Sequence, residues 1–226
     1  GETQSRKGAV EMKEIGGFYW PDGDTVTPDV VLREVERLPL YLKHVHPRRV
    51  CIQAGGNVGV YAHKLAKQFD QVFTFEPDPE NYECLRANNR APLYFPTFGA
   101  LGNQEGQVTT WRPGKESRNY GATQVRLGNA PDAAPLIVLD KFLQGCAGMV
   151  DFMLLDVEGW EQPALEGAEE IINLSHPIIA LELKGLGEPH GWPDSYTRNW
   201  LHEREYRKVE RIGNDDIFVW TPSFVS

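Results

Sequence analysis

From residue 49 onward, short apolar runs alternate with segments whose apolar positions recur at helical spacing. "RRVCIQAG" reads as a buried strand and "NVGVYAHKLAKQF" as a helix. "QVFTFEP" reads as a second strand, and "DPENYECLRANNR" as a helix with Asp78 as N-cap and Pro79 in its first turn. "LYFPTFGALG" is expected to form a third strand and "VDFMLLDVEG" a strongly buried one; the helix "EQPALEGAEEIINLS" and the strand "PIIALELKG" follow. Asp194 is expected to cap a helix reaching about Tyr206, and "YRKVERIGNDDIFVWTP" to form a hairpin turning at Gly213 and Asn214. Regular alternation of strand and helix predicts an α/β fold, with a mostly parallel sheet and helices on both faces.

The flanks of this pattern are less regular. Residues 1–26 read as an arm with short extended pieces, and "TPDVVLREVERLPLYLKHV" as a helix with Thr27 as N-cap and Pro28 at its first position, ended or kinked at Pro39. Residues 1–48 are thus expected to form an N-terminal arm and helix, attached to a main unit over 49–226. The stretch from Arg112 to Pro135 is rich in glycine and proline and predicts a long surface loop.

Composition narrows the function classes. The 226 residues suit one compact domain with an added arm, and 23 basic against 32 acidic residues leave a net charge of −9. That balance argues against a nucleic-acid partner and mildly favours a small or cationic ligand. Cys51, Cys84 and Cys146 are far apart and show no CxxC spacing, so neither a disulfide framework nor a zinc site is expected. No apolar run approaches the roughly 18 to 20 residues of a membrane span, and the first ten residues lack the apolar core of a signal peptide. The expected setting is the cytoplasm, with no membrane partner; an oligomer is compatible with the sequence.

The chemistry centres on "CIQAGGNVGVY", residues 51–61. A strand entering a helix through glycines makes a tight turn whose N–H groups are expected to face a ligand at the carboxyl end of the sheet. Asn57 and Val60 stand where a dinucleotide GxGxxG fingerprint needs glycine, and no P-loop lysine pair follows. The pattern QxGGNxG, with Gln53, Gly55, Gly56, Asn57 and Gly59, lies close to the DxGxGxG turn of S-adenosylmethionine-dependent methyltransferases. Tyr61 follows that turn. Glu76 ends the second strand 17 residues after Gly59 and is placed to accept two hydrogen bonds from a ribose diol, with Pro77 beside it. Ala100 and Leu101, after the third strand, are placed to sandwich an adenine.

"AGGNVGVYAHKLAK", "FEPDPENYECLRANN", "LDKF" and "VDFMLLDVEGWEQPALEGAEEII…PIIALELK", in this order over roughly residues 50 to 185, resemble the FkbM family of methyltransferases. "NDDIFV" near the end is also similar. The resemblance implies a Rossmann-like class I methyltransferase fold with an antiparallel C-terminal hairpin, S-adenosylmethionine as cofactor, and methylation of hydroxyl groups on small molecules, often glycosides. Many relatives carry Asp at the position of Gln53, where it helps hold the cofactor's ammonium end. A neutral amide there bonds more weakly, by about 1 kcal/mol or more.

Methyl transfer from a sulfonium needs an acceptor oxygen about 3 Å from the methyl carbon, in line with the C–S bond. An alcohol acceptor also needs a base. Asp156 and Glu158 are expected to share a face at the end of a central strand, with Glu161 nearby. Asp156 reads either as base or as cofactor anchor, and Glu158 either as base or as a helix N-terminal carboxylate. The three acids would also suit Mg²⁺, but no second Asp/Asn cluster of obvious spacing accompanies them, and no metal is assigned. His190, in "GEPHGW", reads as a catalytic or as a surface or packing residue on a substrate loop; Lys184, a candidate substrate contact, either meets a carboxylate or closes the site, or is a solvated strand-end lysine. Asn119 and Tyr120 are candidate substrate contacts. Phe18, Tyr19 and Trp20 either cover the cleft or pack on the sheet edge. The rival functions are a non-catalytic S-adenosylmethionine-binding module and a nicotinamide-dependent oxidoreductase.

Overall fold

The computed structural model describes residues 10–114 and 118–222. An antiparallel hairpin of β1 (Met12–Ile15) and β2 (Phe18–Pro21) leads to helices α1 (Thr27–Glu34) and α2 (Leu38–Tyr41). The alternating part begins with β3 (Val50–Ala54), α3 (Val60–Leu65), β4 (Gln71–Glu76), α4 (Pro79–Asn88) and β5 (Tyr94–Phe98). Four short strands follow: β6 (Ala100–Leu101), β7 (Gly106–Trp111), β8 (Gln124–Leu127) and β9 (Ala134–Ile137). The chain then forms α5 (Leu139–Phe142), β10 (Val150–Leu155), α6 (Glu161–Glu166), α7 (Glu169–Ser175), β11 (Ile178–Glu182), α8 (Asp194–Glu203), β12 (Tyr206–Ile212) and β13 (Asp215–Trp220).

Among the described residues the main sheet has the order β12-β13-β11-β10-β3-β4-β5. Strands β11, β10, β3, β4 and β5 run parallel, while β13 runs antiparallel to both β11 and β12. From β3 the chain winds outward through β4 to β5, then returns to β10 on the other side. Strand order therefore reverses between β3 and β10, and their carboxyl ends open a crevice there. This is the Rossmann-like architecture expected, with the antiparallel hairpin turning at Gly213 (φ 64) and Asn214.

The core lies on both faces of this sheet. Val50, Ile52 and Ala54 of β3 join Met153 and Leu155 of β10 on one face. Cys51, Phe152 and Leu154 face the other way, toward Leu65, Leu85 and Tyr94. The two-residue period of a strand explains the split, and a strand buried on both sides has to be apolar throughout. Each fully buried side chain of the size of Ile52 contributes about 1.5–3 kcal/mol.

Several expectations are corrected. The stretch from Arg112 to Pro135 is not a continuous loop: it carries β8 and the start of β9, two strands of a second sheet ordered β6-β9-β7-β8. Val108, Val125, Ala134 and Leu136 bury one face of that sheet, and so few apolar residues sufficed because only one face is covered. The expected third strand divides into β5 and β6 at Gly99, whose φ is 152. Thr27 does not cap α1. Asp24 Oδ1 accepts from the Val26 and Thr27 N–H groups instead, and Thr27 Oγ1 is used elsewhere. The helix ends at Glu34, ahead of Pro39, which sits in the first turn of α2. Asp194 lies inside α8, where its carboxylate accepts from Gly185 N, and α8 stops at Glu203. The helix after β10 breaks at Gly167, where a Cβ would lie 1.9 Å from the Gly102 carbonyl oxygen. Asp78 caps α4 as expected, accepting from Glu80 N and Asn81 N.

Candidate active site

The crevice is built around the β3–α3 turn. Gly55 and Gly59 have φ of 80 and 90, which disfavours any side chain. The crowding at these glycines comes from the protein itself. A Cβ on Gly55 would sit 1.8 Å from the Asp156 carbonyl oxygen, one on Gly56 2.8 Å from Thr74 Oγ1, and one on Gly59 2.6 Å from the Tyr94 hydroxyl. The expected row of turn amides facing a ligand is also corrected: Gly55 N and Gly56 N both donate to the Phe75 carbonyl, at 3.2 and 2.9 Å. The bare turn lets the ends of β3, β4 and β10 converge, and this convergence brings Glu76 against it.

Glu76 is 4% exposed and lines the cleft. Its carboxylate accepts from Asn57 N at 2.6 Å and from Asp78 N at 2.8 Å. Burial, and then the charge of Asp78, push its carboxyl up to about 8, against the pull of those two amides.

The cleft, about 780 Å³ with its open mouth included, is lined by most of the residues expected: Gly55, Gly56, Asn57, Tyr61, Glu76, Pro77, Ala100, Leu101, Tyr120, Asp156 and Glu158. Pro77, Phe75, Ala100 and Leu101 form an apolar wall beside Glu76. Gln53 and Gly59 are not on the surface of this cleft. Gln53, 2% exposed, braces the turn from behind: its Nε2 donates to the Gly55 carbonyl at 2.7 Å and its Oε1 accepts from Thr74 Oγ1. Asn119 ties the chain before Tyr120 to the N-terminal helix, where Thr27 Oγ1 donates to Asn119 Oδ1 at 3.2 Å and accepts from Gly121 N at 2.9 Å. His190 packs edge-on against Trp160, 5.6 Å between ring centroids, so Trp160 rather than His190 meets the cleft. Trp20 is fully buried among Val35, Val58, Val60 and Cys84, so the aromatic cluster of the arm packs against α3 and α4.

At the far end stands a group of carboxylates. Asp156, Glu158 and Glu182 each place an oxygen within 4.8 Å of the others. Asp156 and Glu158 both line the cleft, although the strand ends at Leu155 and Glu158 takes a φ of 53. Lys184 Nζ lies 2.9 Å from Glu158 and 2.5 Å from Glu182. Three such oxygens could gather a divalent cation, but the ammonium of Lys184 already supplies a cation among them. Asp156 is exposed on the cleft wall; the protein crowded behind its carboxyl, and then the charge of Glu182, raise it above the ordinary range. Burial also raises Glu158, against the attraction of Lys184. Burial works against the charge on Glu182 too, but the hydrogen bond from Asp156 and the nearby Lys184 keep it below the usual value. Asp156 is thus the weaker acid of the pair and Glu182 the stronger. Glu161 stands apart, accepting from Val157 N and Gly159 N, with burial raising it to about 7.

Sequence reasoning missed Glu182, Asn81, Arg112 and Trp160. A signal for Glu182 existed: it is the single acid in the apolar run "PIIALEL", one strand from "LLDVEG". Arg112 lay in the presumed loop; it pairs with Asp78 at 2.5 Å and stacks on the Tyr120 ring at 3.5 Å, fixing that wall of the cleft.

Comparison with known proteins agrees with this geometry. The profile of the methyltransferase FkbM domain matches residues 53–208, well over half of the chain. No individually curated protein matches. Among solved structures, a methyltransferase FkbM from Methylobacillus flagellatus KT superposes with a TM-score of 0.55 at 16% identity, over 76% of this chain and 44% of that one. The present chain therefore spans less than half the length of that relative. TYW2 from M. jannaschii, solved in complex with AdoMet, superposes with a TM-score of 0.52 at 13% identity, over 97% of this chain and 90% of that one. Identities this low speak to the fold, which is the Rossmann-like class I methyltransferase fold. With its domain matched across the glycine turn, Glu76 and the carboxylate-bearing strand ends, the chain belongs to the FkbM family of methyltransferases.

Proposed function

We propose that the protein is an S-adenosylmethionine-dependent methyltransferase that methylates a hydroxyl group of a small molecule, such as a sugar. The observation that carries this reading is Glu76: a carboxylate at the end of β4, on the cleft wall, bonded to the amide of the glycine turn. Its free lone pairs suit the ribose hydroxyls. The adjacent wall of Pro77, Ala100 and Leu101 suits an adenine ring. The cofactor, when bound, supplies a methyl group on a cationic sulfur.

The chain's own residues then orient the acceptor, exclude water and take up one proton. Asp156, the weaker acid of the pair, is hydrogen-bonded to Glu182 and in its protonated form donates to it. If that proton passes to Glu182, Asp156 becomes a carboxylate facing the cleft and can take the proton lost by the acceptor hydroxyl. Lys184 limits the repulsion among the three acids, and Glu158 completes the anionic end that suits the cofactor's ammonium. Tyr61, Tyr120 and Thr123 line the cleft; the Thr123 hydroxyl is held by the Tyr120 carbonyl and the Tyr120 hydroxyl by Glu80. His190 enters this reading only as support for Trp160.

The net charge of −9 favours a small acceptor over a nucleic acid. Among the described residues no helix is long and apolar enough to cross a membrane. The three cysteines are free thiols, as a reducing cytoplasm would keep them. Calorimetry with S-adenosylhomocysteine tests the reading directly: saturable binding is expected, and no heat at millimolar ligand would sink it. Asp156→Asn should lower the rate of methyl transfer to an identified acceptor by about 10²-fold or more while leaving cofactor binding within a few fold. Equal loss of both would remove Asp156 as the base.

A further inference from the structure

Besides Glu76, the cleft wall carries amide oxygens that the protein leaves unsatisfied. Asn81, in the first turn of α4, is 1% exposed and lines the cleft. Its Nδ2 donates to the Tyr120 carbonyl at 3.3 Å and also faces the Glu76 carboxylate. Its Oδ1 is buried and has no hydrogen-bond partner among the described residues. The opposite amide orientation would set an oxygen against both the Tyr120 carbonyl and Glu76, so the network itself fixes which end is free. Asn57, whose N–H is on Glu76, likewise has a buried, unpartnered Oδ1 and lines the same cleft. A buried acceptor without a donor is a standing cost to the fold, and one on a cleft wall points to a donor brought by a ligand.

The groups around this point are a carboxylate, each oxygen of which already accepts one N–H, and two amide oxygens. All are acceptors. A ligand seated here has to offer at least two donors close together. A vicinal diol does so, whereas the exocyclic amine of adenine is a single donor centre. We propose that Asn81 is the second arm of a diol clamp, with Glu76 accepting one ribose hydroxyl and Asn81 Oδ1 the other. The proposal rests on the cofactor assignment above and adds to it a residue that selects for an intact ribose. The same side chain, through Nδ2 on the Tyr120 carbonyl, ties the sugar site to residues 119–123. Asn81 is therefore placed to link recognition of the cofactor to the segment that roofs the cleft.

The test compares S-adenosylhomocysteine with its 2′-deoxy and 3′-deoxy analogues by calorimetry, on the full chain and two variants. The unaltered protein should bind either deoxy analogue roughly three- to tenfold more weakly than the parent. In Asn81→Ala one of the two penalties should shrink to about twofold or less while the other is kept, and in Glu76→Gln the other should shrink most. Near-UV circular dichroism checks that the variants are folded; if Asn81→Ala is not, Asn81→Ser gives the same readout with less disturbance. Both penalties surviving intact in the folded Asn81 variant would overturn the clamp and leave Asn81 with only its tie to Tyr120. So would an Asn81-dependent penalty that appears only with a third analogue, in which unsubstituted purine replaces adenine. Failure of the unaltered protein to bind even S-adenosylhomocysteine would instead remove the cofactor assignment, and the clamp with it.

Discussion

Raising the pH from 7 to 9 should tighten binding of S-adenosylhomocysteine, and Glu76 should be the cause. Burial, followed by the nearby charge of Asp78, lifts this carboxyl from 4.5 to about 8 in the folded protein. The sign follows from the raised value. The fold favours protonated Glu76, so the stability this group contributes is complete below about 4.5 and is lost as pH rises through about 8. A diol donating hydrogen bonds prefers the ionised form, since a bond to a charged acceptor contributes about 1.5–3 kcal/mol and one to a neutral acceptor about 0.5–1.5. At pH 7, one unit below that value, roughly nine molecules in ten hold the proton and have to release it on binding. Affinity should then rise about tenfold between pH 7 and pH 9 and level off above it. One hydroxyl bond to Glu76, about 2 kcal/mol better to the charged form, leaves room for an effect of this size. Calorimetry at pH 7 in two buffers of different protonation enthalpy would count the proton released. The wild-type protein should release close to one more proton than Glu76→Gln, whose affinity should also change less with pH. Equal proton counts for the two proteins would refute the reasoning, because every other titrating group, Asp156 and Glu161 included, is common to both.

Three further outcomes follow from the same geometry. Gly55→Ala forces a Cβ into a left-handed conformation 1.8 Å from the Asp156 carbonyl; it should lower stability by roughly 3 kcal/mol or more, read from the urea midpoint. Asp78→Ala removes both the cap of α4 and the partner of Arg112, and should lower the same midpoint by about 1–2 kcal/mol, whereas Asp78→Asn should retain most of the cap. Lys184→Met takes away the cation beside Glu158 and Glu182. Ionised carboxylates then become harder to form, and the rising limb of the pH–rate profile for methyl transfer should move up by about one pH unit; an unmoved profile would separate Lys184 from the proton acceptor.

How much of this was legible before the structure depends on the range of the interaction concerned. Runs such as "VCIQA" and "DFMLL" are apolar at every position because they are buried on both faces, so their nature as central strands could be read directly. Asp78 and Pro79 mark the start of α4 by local chemistry alone, and Glu76 could be placed at a strand end for the same reason. Gln53 was different. It lies in the strand that enters the turn, but whether its amide meets a ligand or the chain depends on Thr74 of the neighbouring strand, which holds it. Thr27 had a cap's chemistry, but Asp24 took the cap and left Thr27 to hold Asn119 and Gly121. Neither choice is visible in a window of a few residues.

The nature of the central strands and of the helices between them, the parallel sheet and the presence of an acid at the end of β4 were thus determined by local periodicity and turn chemistry, which act within a few residues. The tertiary structure alone decided that Asp156, Glu158 and Glu182 gather their carboxylates, that Asn81 leaves its oxygen unpartnered on the cleft wall beside Glu76, and that the glycines yield to neighbouring strands rather than to a ligand. Each of these depends on which strand ends lie side by side. That order is set by contacts between residues far apart along the chain, as where β3 lies beside β10 and β10 beside β11, and a local pattern carries no record of it.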